Sequence, residues 1–216
     1  MLNKQNLNKI DWTDYTWNPI AGCLHGCPYC YMRRMEKRFS GIMTPVFRPG
    51  YLADPHRLKK PSKIFVGSSG DMWGEWVGRN HIQAVLESCS QAPRHTFQFL
   101  TKNPGRYMEF PQINNAWYGT TCDGTARTEY NIANLVFVVQ HPVRFVSFEP
   151  LLAPVNPDLS GINWIIIGAD SNPGAFKPPV EWAYHLIGLA EEKSIPVFVK
   201  DNYGYPDRIK EMPEHG

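Results

Sequence analysis

The sequence predicts an α/β fold: a partial (βα)6-type, TIM-like barrel of parallel strands in a single compact domain. Three observations predict it. Short apolar runs of strand length alternate with segments of helical periodicity, the pattern of parallel βα units. Six or seven such strands occur without a dinucleotide-binding glycine fingerprint, which favours a barrel. The 216 residues fall short of the roughly 250 that a closed eightfold barrel takes, so the barrel is expected to be open. With 43% hydrophobic residues, the chain is long enough for one well-buried domain and short for two. Residues 1–216 are therefore read as one unit.

Taken in order, residues 1–10 are polar and read as a frayed start. Thr16-Trp-Asn-Pro-Ile20 is the first strand. A cysteine-bearing loop over 22–31 follows, where Gly22 and Gly26 permit tight bends. Tyr31, Met32, Met35 and Phe39 recur at helical spacing with Arg33, Arg34, Lys37 and Arg38 on the other face, predicting a helix over 31–39. Ser40 to Ser62 is a long excursion carrying Pro45, Pro49, Pro55 and Pro61, and a loop of that length is usually functional or mobile. Lys63–Val66 is a buried strand and His81–Cys89 a helix with Ile82, Val85 and Leu86 inward. Thr96–Leu100 and Ala116–Thr121 are the next strands. A helix through about Val136 leads to the strand Arg144–Phe148. Ile162–Ile167, a helix over Val180–Lys193 and the strand Pro196–Val199 complete the pattern.

Each strand is followed by polar groups. They are the cysteines after the first, then Ser68, Ser69 and Asp71, then Thr101 and Lys102, then Thr121, Cys122 and Asp123, then Glu149, Asp170, and finally Lys200 and Asp201. Any one has a plain structural role: Asp71 or Asp123 can cap the next helix, and Glu149 or Lys200 can form an ion pair. Together they read as the lining of a site, because parallel barrels keep their chemistry beyond the C-terminal ends of the strands.

Charge is close to balanced at +2 but unevenly placed. Tyr31–Lys63 carries nine Lys or Arg against two acids, Glu36 and Asp54, leaving the remainder net acidic. A basic excursion over 31–63 suits a phosphate-bearing partner such as a nucleic acid or nucleotide, or is a solvated surface. No apolar run of about 18 residues occurs, so no membrane span is expected. The opening lacks a secretory leader's charged and apolar regions, and five cysteines in 216 residues are few for a disulfide framework. A reducing, cytoplasmic compartment is the expectation.

The densest signal is Cys23-Leu-His-Gly-Cys27-Pro-Tyr-Cys30. Three thiols within eight residues can surround one soft metal centre, since thiolates favour iron–sulfur clusters and zinc. With three ligands, a four-iron cluster keeps one iron free to bind a small molecule. The competing reading is a zinc site completed by His25, although zinc modules more often use two separated pairs of ligands. A non-catalytic, zinc- or cluster-stabilised nucleic-acid-binding protein is the corresponding alternative to an enzyme.

CxxxCxxC with an aromatic, Tyr29, before its last cysteine resembles the cluster motif of the radical S-adenosylmethionine (radical SAM) superfamily. Asp11-Trp-Thr-Asp-Tyr-Thr-Trp-Asn-Pro19, Leu100-Thr-Lys102, Ser147-Phe-Glu-Pro-Leu-Leu152 and Asn163-Trp-Ile-Ile-Ile-Gly168 extend the resemblance to a small phage-associated branch of unassigned function. Two departures stand out. Gly168-Ala-Asp-Ser-Asn172 takes the place of a Gly-Gly-Glu-Ser-Gly-like run, and Lys200-Asp-Asn-Tyr-Gly204 that of a Lys-Gln-Trp-Gly-like run.

The resemblance implies a [4Fe–4S] cluster on Cys23, Cys27 and Cys30, with S-adenosyl-L-methionine (SAM) on the open iron. An external electron donor reduces the cluster, SAM is cleaved to methionine and a 5′-deoxyadenosyl radical, and the radical takes hydrogen from the substrate. It further implies Tyr29 against the adenine and Ser68 and Ser69 near the methionine amino group. Thr121 or Asp123 would meet the ribose, and Lys102 the methionine carboxylate or a substrate phosphate. Asp71, Glu149 and Asp170 are further candidates for the cofactor site. Cys122 is a candidate hydrogen donor to a product radical, or simply a small buried hydrophobe. The open barrel mouth and the basic segment Tyr31–Lys63 suggest a nucleic acid or nucleotide as the substrate, with a peptide or small metabolite as the alternative.

Overall fold

Alternation along the strands sets the architecture. In a computed structural model describing residues 1–5, 10–141 and 143–214, the chain forms an eight-stranded sheet and a separate two-stranded one. The strands are β1 (Leu2–Lys4), β2 (Tyr15–Trp17), β3 (Ile20–Ala21), β4 (Val46–Phe47), β5 (Lys63–Val66), β6 (Thr96–Thr101), β7 (Ala116–Thr121), β8 (Arg144–Phe148), β9 (Trp164–Ile167) and β10 (Val197–Val199). The helices are α1 (Tyr31–Glu36), α2 (Arg79–Ser90), α3 (Thr128–Val138) and α4 (Val180–Glu191). The large sheet runs β1-β2-β5-β6-β7-β8-β9-β10 and is not closed. From β2 to β10 every pairing is parallel, and β1 lies antiparallel on β2.

Successive side chains of a strand point to opposite faces. One set, including Val66, Phe99, Tyr118, Phe148, Ile167 and Val199, shares a core with the inward residues of α2, α3 and α4. The other set forms a second core: Phe65, Trp117, Phe145, Trp164, Ile166 and Phe198 surround Trp12. Trp12 shows that the sheet is rolled. Its ring lies 4.7 Å from Phe65 on β5 and 6.0 Å from Trp164 on β9. Those strands are four positions apart in the sheet, which would be about 19 Å in a flat one. Rolling gives this face a solid aromatic floor and an open upper part.

Several expectations are corrected. The opening is not frayed throughout: Leu2, Asn3 and Lys4 pair with Trp17, Thr16 and Tyr15, while residues 6–9 lie outside the described ones. The expected first strand over 16–20 is two strands, because the chain leaves β2 at Asn18-Pro19 and Ile20–Ala21 pairs with Val46–Phe47 instead. That pairing also gives the long excursion a strand of its own. Helix α1 stops at Glu36, not Phe39, because the Glu36 carboxylate accepts the backbone N–H groups of Gly41 (2.7 Å) and Met43 (3.0 Å) and folds the chain back. The βα regularity is incomplete as well: β6 and β7 are joined through a 3-10 turn at Pro104–Glu109, and 149–163 reaches β9 without a helix. No helix among the described residues is long and apolar enough to cross a membrane.

Candidate functional site

The cysteine loop leaves β3 and ends at α1, and it is pinned to the loop that follows β5. Gly22 donates its N–H to the Ser69 carbonyl (2.9 Å) and forms a bridge with Gly70. Both glycines are required by closeness. A Cβ on Gly70 would stand 2.6 Å from the Gly22 carbonyl oxygen, and one on Gly22, whose φ is +85°, would stand 2.3 Å from that of Thr44. Downstream, Cys23 N–H bonds to the Met43 carbonyl (2.9 Å), and a turn closes from Cys27 to Cys30 (3.3 Å).

Cys23, Cys27 and Cys30 are all free thiols and half-buried. Burial, reinforced by Asp71 and the other two cysteines, pushes the Cys23 thiol up to about 11. Among the described residues no three His, Cys, Asp or Glu side chains stand close enough to hold one metal ion between them. The cysteines thus share a loop without yet sharing a point. Their chemistry, three soft donors with no disulfide between them, still suits a thiolate-bound metal centre.

Beneath the loop lies a cavity of about 1130 Å³, large for a small-molecule or cofactor site at roughly 300–1,000 Å³. Cys27, Tyr29 and Cys30 line it from above, and Ser68, Ser69, Lys102, Thr121, Glu149, Asp170 and Lys200 line it from the strand ends. Residues scattered from Cys27 to Lys200 therefore converge, at the carboxyl ends of the parallel strands where α/β sheets bind ligands. A hollow of about 810 Å³ at the opposite end has no cysteine in its lining.

Two of these residues, Tyr29 and Lys102, form one cluster with Asp123. Lys102 Nζ donates to Asp123 Oδ2 (2.6 Å) and to the Tyr29 hydroxyl, which itself donates to Asp123. Burial pushes the Asp123 carboxyl up, but hydrogen bonds from Lys102, Tyr29 and Thr125 outweigh it and hold the group well below the usual carboxylate range. From the other side, the Asn172 amide donates to the Tyr29 carbonyl (2.7 Å) and to Asp170 (2.7 Å). Tyr29 is fixed at both ends. On the far wall, Lys200 pairs with Glu149.

The remaining candidates divide. Ser68 and Ser69 are held by buried Asn18, whose Oδ1 accepts the Ser69 N–H (2.8 Å) and whose amide donates to Ser68 Oγ (3.1 Å). Asn18 was overlooked as a site residue; its place just after β2 was the available signal. Asp71 is buried and turned into the protein. Its oxygens accept from Thr101 Oγ1 (2.8 Å), the Lys102 N–H (3.1 Å) and the Trp73 N–H (3.0 Å), and pair with His25 Nε2 (2.7 Å). Asp71 therefore ties the cysteine loop to β6 and does not line the cavity, and Asp123 serves it through Tyr29 and Lys102. Cys122 belongs to the helix-covered core, with its Sγ 3.6 Å from the Thr128 carbonyl. A hydrogen donor would need to face the other way. Strand alternation explains this: Thr121 faces the cavity, so its neighbour cannot.

A family model described as "Protein of unknown function (DUF5131)" matches residues 7–213, and the chain belongs to that family. No curated protein and no solved structure matches it.

Proposed function

We propose that this DUF5131 member is a radical SAM enzyme acting on a nucleic acid or nucleotide, with a [4Fe–4S] cluster on Cys23, Cys27 and Cys30 and SAM in the adjoining cavity. In this reading the rolled, open sheet is a partial (βα)6-type barrel. The observation that carries it is a loop of three free thiols, spaced CxxxCxxC, two of which, Cys27 and Cys30, line a cavity walled by polar strand ends. When bound, the cluster and SAM supply one-electron chemistry that removes hydrogen from an unactivated carbon, a task proteins leave to cofactors.

The chain's own part is to bind, orient and exclude water. Tyr29 presents a fixed aromatic face, braced by Lys102, Asp123 and Asn172. Asn18 holds the Ser68–Ser69 backbone still, so that the serines can serve polar ligand groups. Lys102 and Lys200 offer cations whose partners, Asp123 and Glu149, keep them in place until an anion competes. The aromatic floor seals the cavity from below. A four-ligand zinc site fits less well, since His25 Nε2 is engaged by Asp71 and its ring packs edge-on against Trp76.

Anaerobic reconstitution with iron and sulfide tests the cluster. The reading predicts about four irons per chain with a visible charge-transfer band, both lost in Cys23→Ala, Cys27→Ala and Cys30→Ala. A colourless protein that takes zinc and refuses iron would overturn it.

A further inference from the structure

We propose that the hollow between α1 and the loop after β9 is a phosphate subsite. There Arg33, Arg34 and Lys37 hold a phosphate of a nucleotide or single-stranded nucleic acid while the attached nucleoside reaches the large cavity. The inference deepens the functional reading above by locating the substrate's phosphate, and it rests on that reading for the nucleoside's destination.

Helix α1 separates two spaces and offers each a different chemistry. Tyr31, Met32 and Met35 line the large cavity. Arg33, Arg34 and Lys37 line a second hollow of about 510 Å³, closed on its other side by Asp170, Asn172, Pro173, Gly174 and Ala175. The two hollows share Tyr29, Cys30 and Asp170, so one ligand can occupy both. The three cations are exposed, and among the described residues no carboxylate lies within ion-pair distance of any of them. The one acid at the rim, Asp170, already accepts the Asn172 N–H (2.8 Å) and side-chain amide (2.7 Å).

Three unpaired cations on one wall attract an anion, and phosphate has the charge and acceptor geometry for Arg and Lys. On α1 itself, Tyr31 and Met35 are exposed on the face towards the large cavity, next in sequence to these cations. Basic groups interleaved with aromatic and apolar ones are the arrangement that binds single-stranded nucleic acid, the cations taking the backbone and the flat rings taking bases. The Arg33 guanidinium stands 3.3 Å from where a Gly26 Cβ would be, so it also props the cysteine loop. Arg34 and Lys37 are the cleaner probes.

The test uses the full chain as purified, without SAM or reductant, and a short fluorescent single-stranded oligonucleotide. Its binding should weaken as salt rises. Arg34→Ala/Lys37→Ala should reduce affinity by at least about tenfold and flatten the salt slope by about 0.7 for each cation removed. Arg34→Lys should keep most of both, and Lys59→Ala/Lys60→Ala, which line neither hollow, should bind as the wild type does. An unchanged urea midpoint in the double variant shows that folding is not the cause. Displacement by a nucleoside monophosphate identifies a mononucleotide ligand, and displacement by oligonucleotides alone a polymer. No binding by the wild type, or equal binding by the Arg34/Lys37 variant, would overturn the subsite. Binding with the predicted pattern in a protein that does not cleave SAM would leave the subsite standing and remove the radical mechanism.

Discussion

Asp71 shows how a single buried side chain can organise a site that it does not enter. Four donors converge on its two oxygens, so truncation leaves a hydroxyl and two backbone N–H groups unpaired in the interior. Asp71→Ala is expected to lose about 3 kcal/mol of stability, measured by urea denaturation. A loss within about 0.5 kcal/mol, the range of ordinary surface changes, would remove its structural role. Asp123 gives a pH prediction. Its folded pKa is depressed below the unfolded value of ~3.9, so the stability it contributes is present above that value and is lost as pH falls through the folded pKa. Lys102→Met takes away one of the groups that depress it. The variant should be less stable than wild type at pH 6, with a smaller gap at pH 3, when urea midpoints are compared. An equal gap at both values would mean that Lys102 does not control Asp123.

Among the elements, the regular strands were the most legible. Lys63–Val66, Ala116–Thr121 and Arg144–Phe148 occupy the residues predicted, because a short apolar run between polar groups has few other ways to bury itself. The Ile20–Ala21 and Val46–Phe47 pair was not legible, since two-residue strands carry no periodicity and depend on partners far along the chain, Phe47 for Ile20 and Val46 for Ala21. The end of α1 was hidden for a similar reason: Glu36 stops it through contacts up to seven residues on, whereas the apolar spacing continues to Phe39. The loop junction itself is open to test. Gly70→Ala forces a Cβ against the Gly22 carbonyl and should separate the cysteine loop from the β5 loop, lowering iron loading along with stability. Gly188→Ala is the control. It lies within α4 with nothing within 4 Å of the added Cβ, and should raise stability by about 0.5–1 kcal/mol without changing loading. Equal loading in both variants would show that the junction does not position the cysteines.

At the scale of the molecule, rolling the sheet turns a list of strand-end residues into a lining. That convergence is legible, since Ser68, Ser69, Lys102, Thr121, Glu149 and Asp170 all follow or end strands in the sequence and all meet at one cavity. What the sequence could not convey was the facing of individual groups. Asp71 and Cys122 sit beside the site yet turn away from it, and only strand alternation and packing decide that. The open sheet leaves a broad mouth with α1 at its rim, apolar towards the cavity and basic towards the smaller hollow. A large, phosphate-bearing substrate suits such an opening.

The measurement that bears most directly on the proposed chemistry is SAM cleavage by the anaerobically reconstituted protein, reduced with dithionite and followed as 5′-deoxyadenosine. The account predicts production by the wild type, abolished in each of Cys23→Ala, Cys27→Ala and Cys30→Ala and reduced when Tyr29 is replaced by Ala. A cluster-loaded wild-type protein that binds SAM and releases no 5′-deoxyadenosine would contradict it.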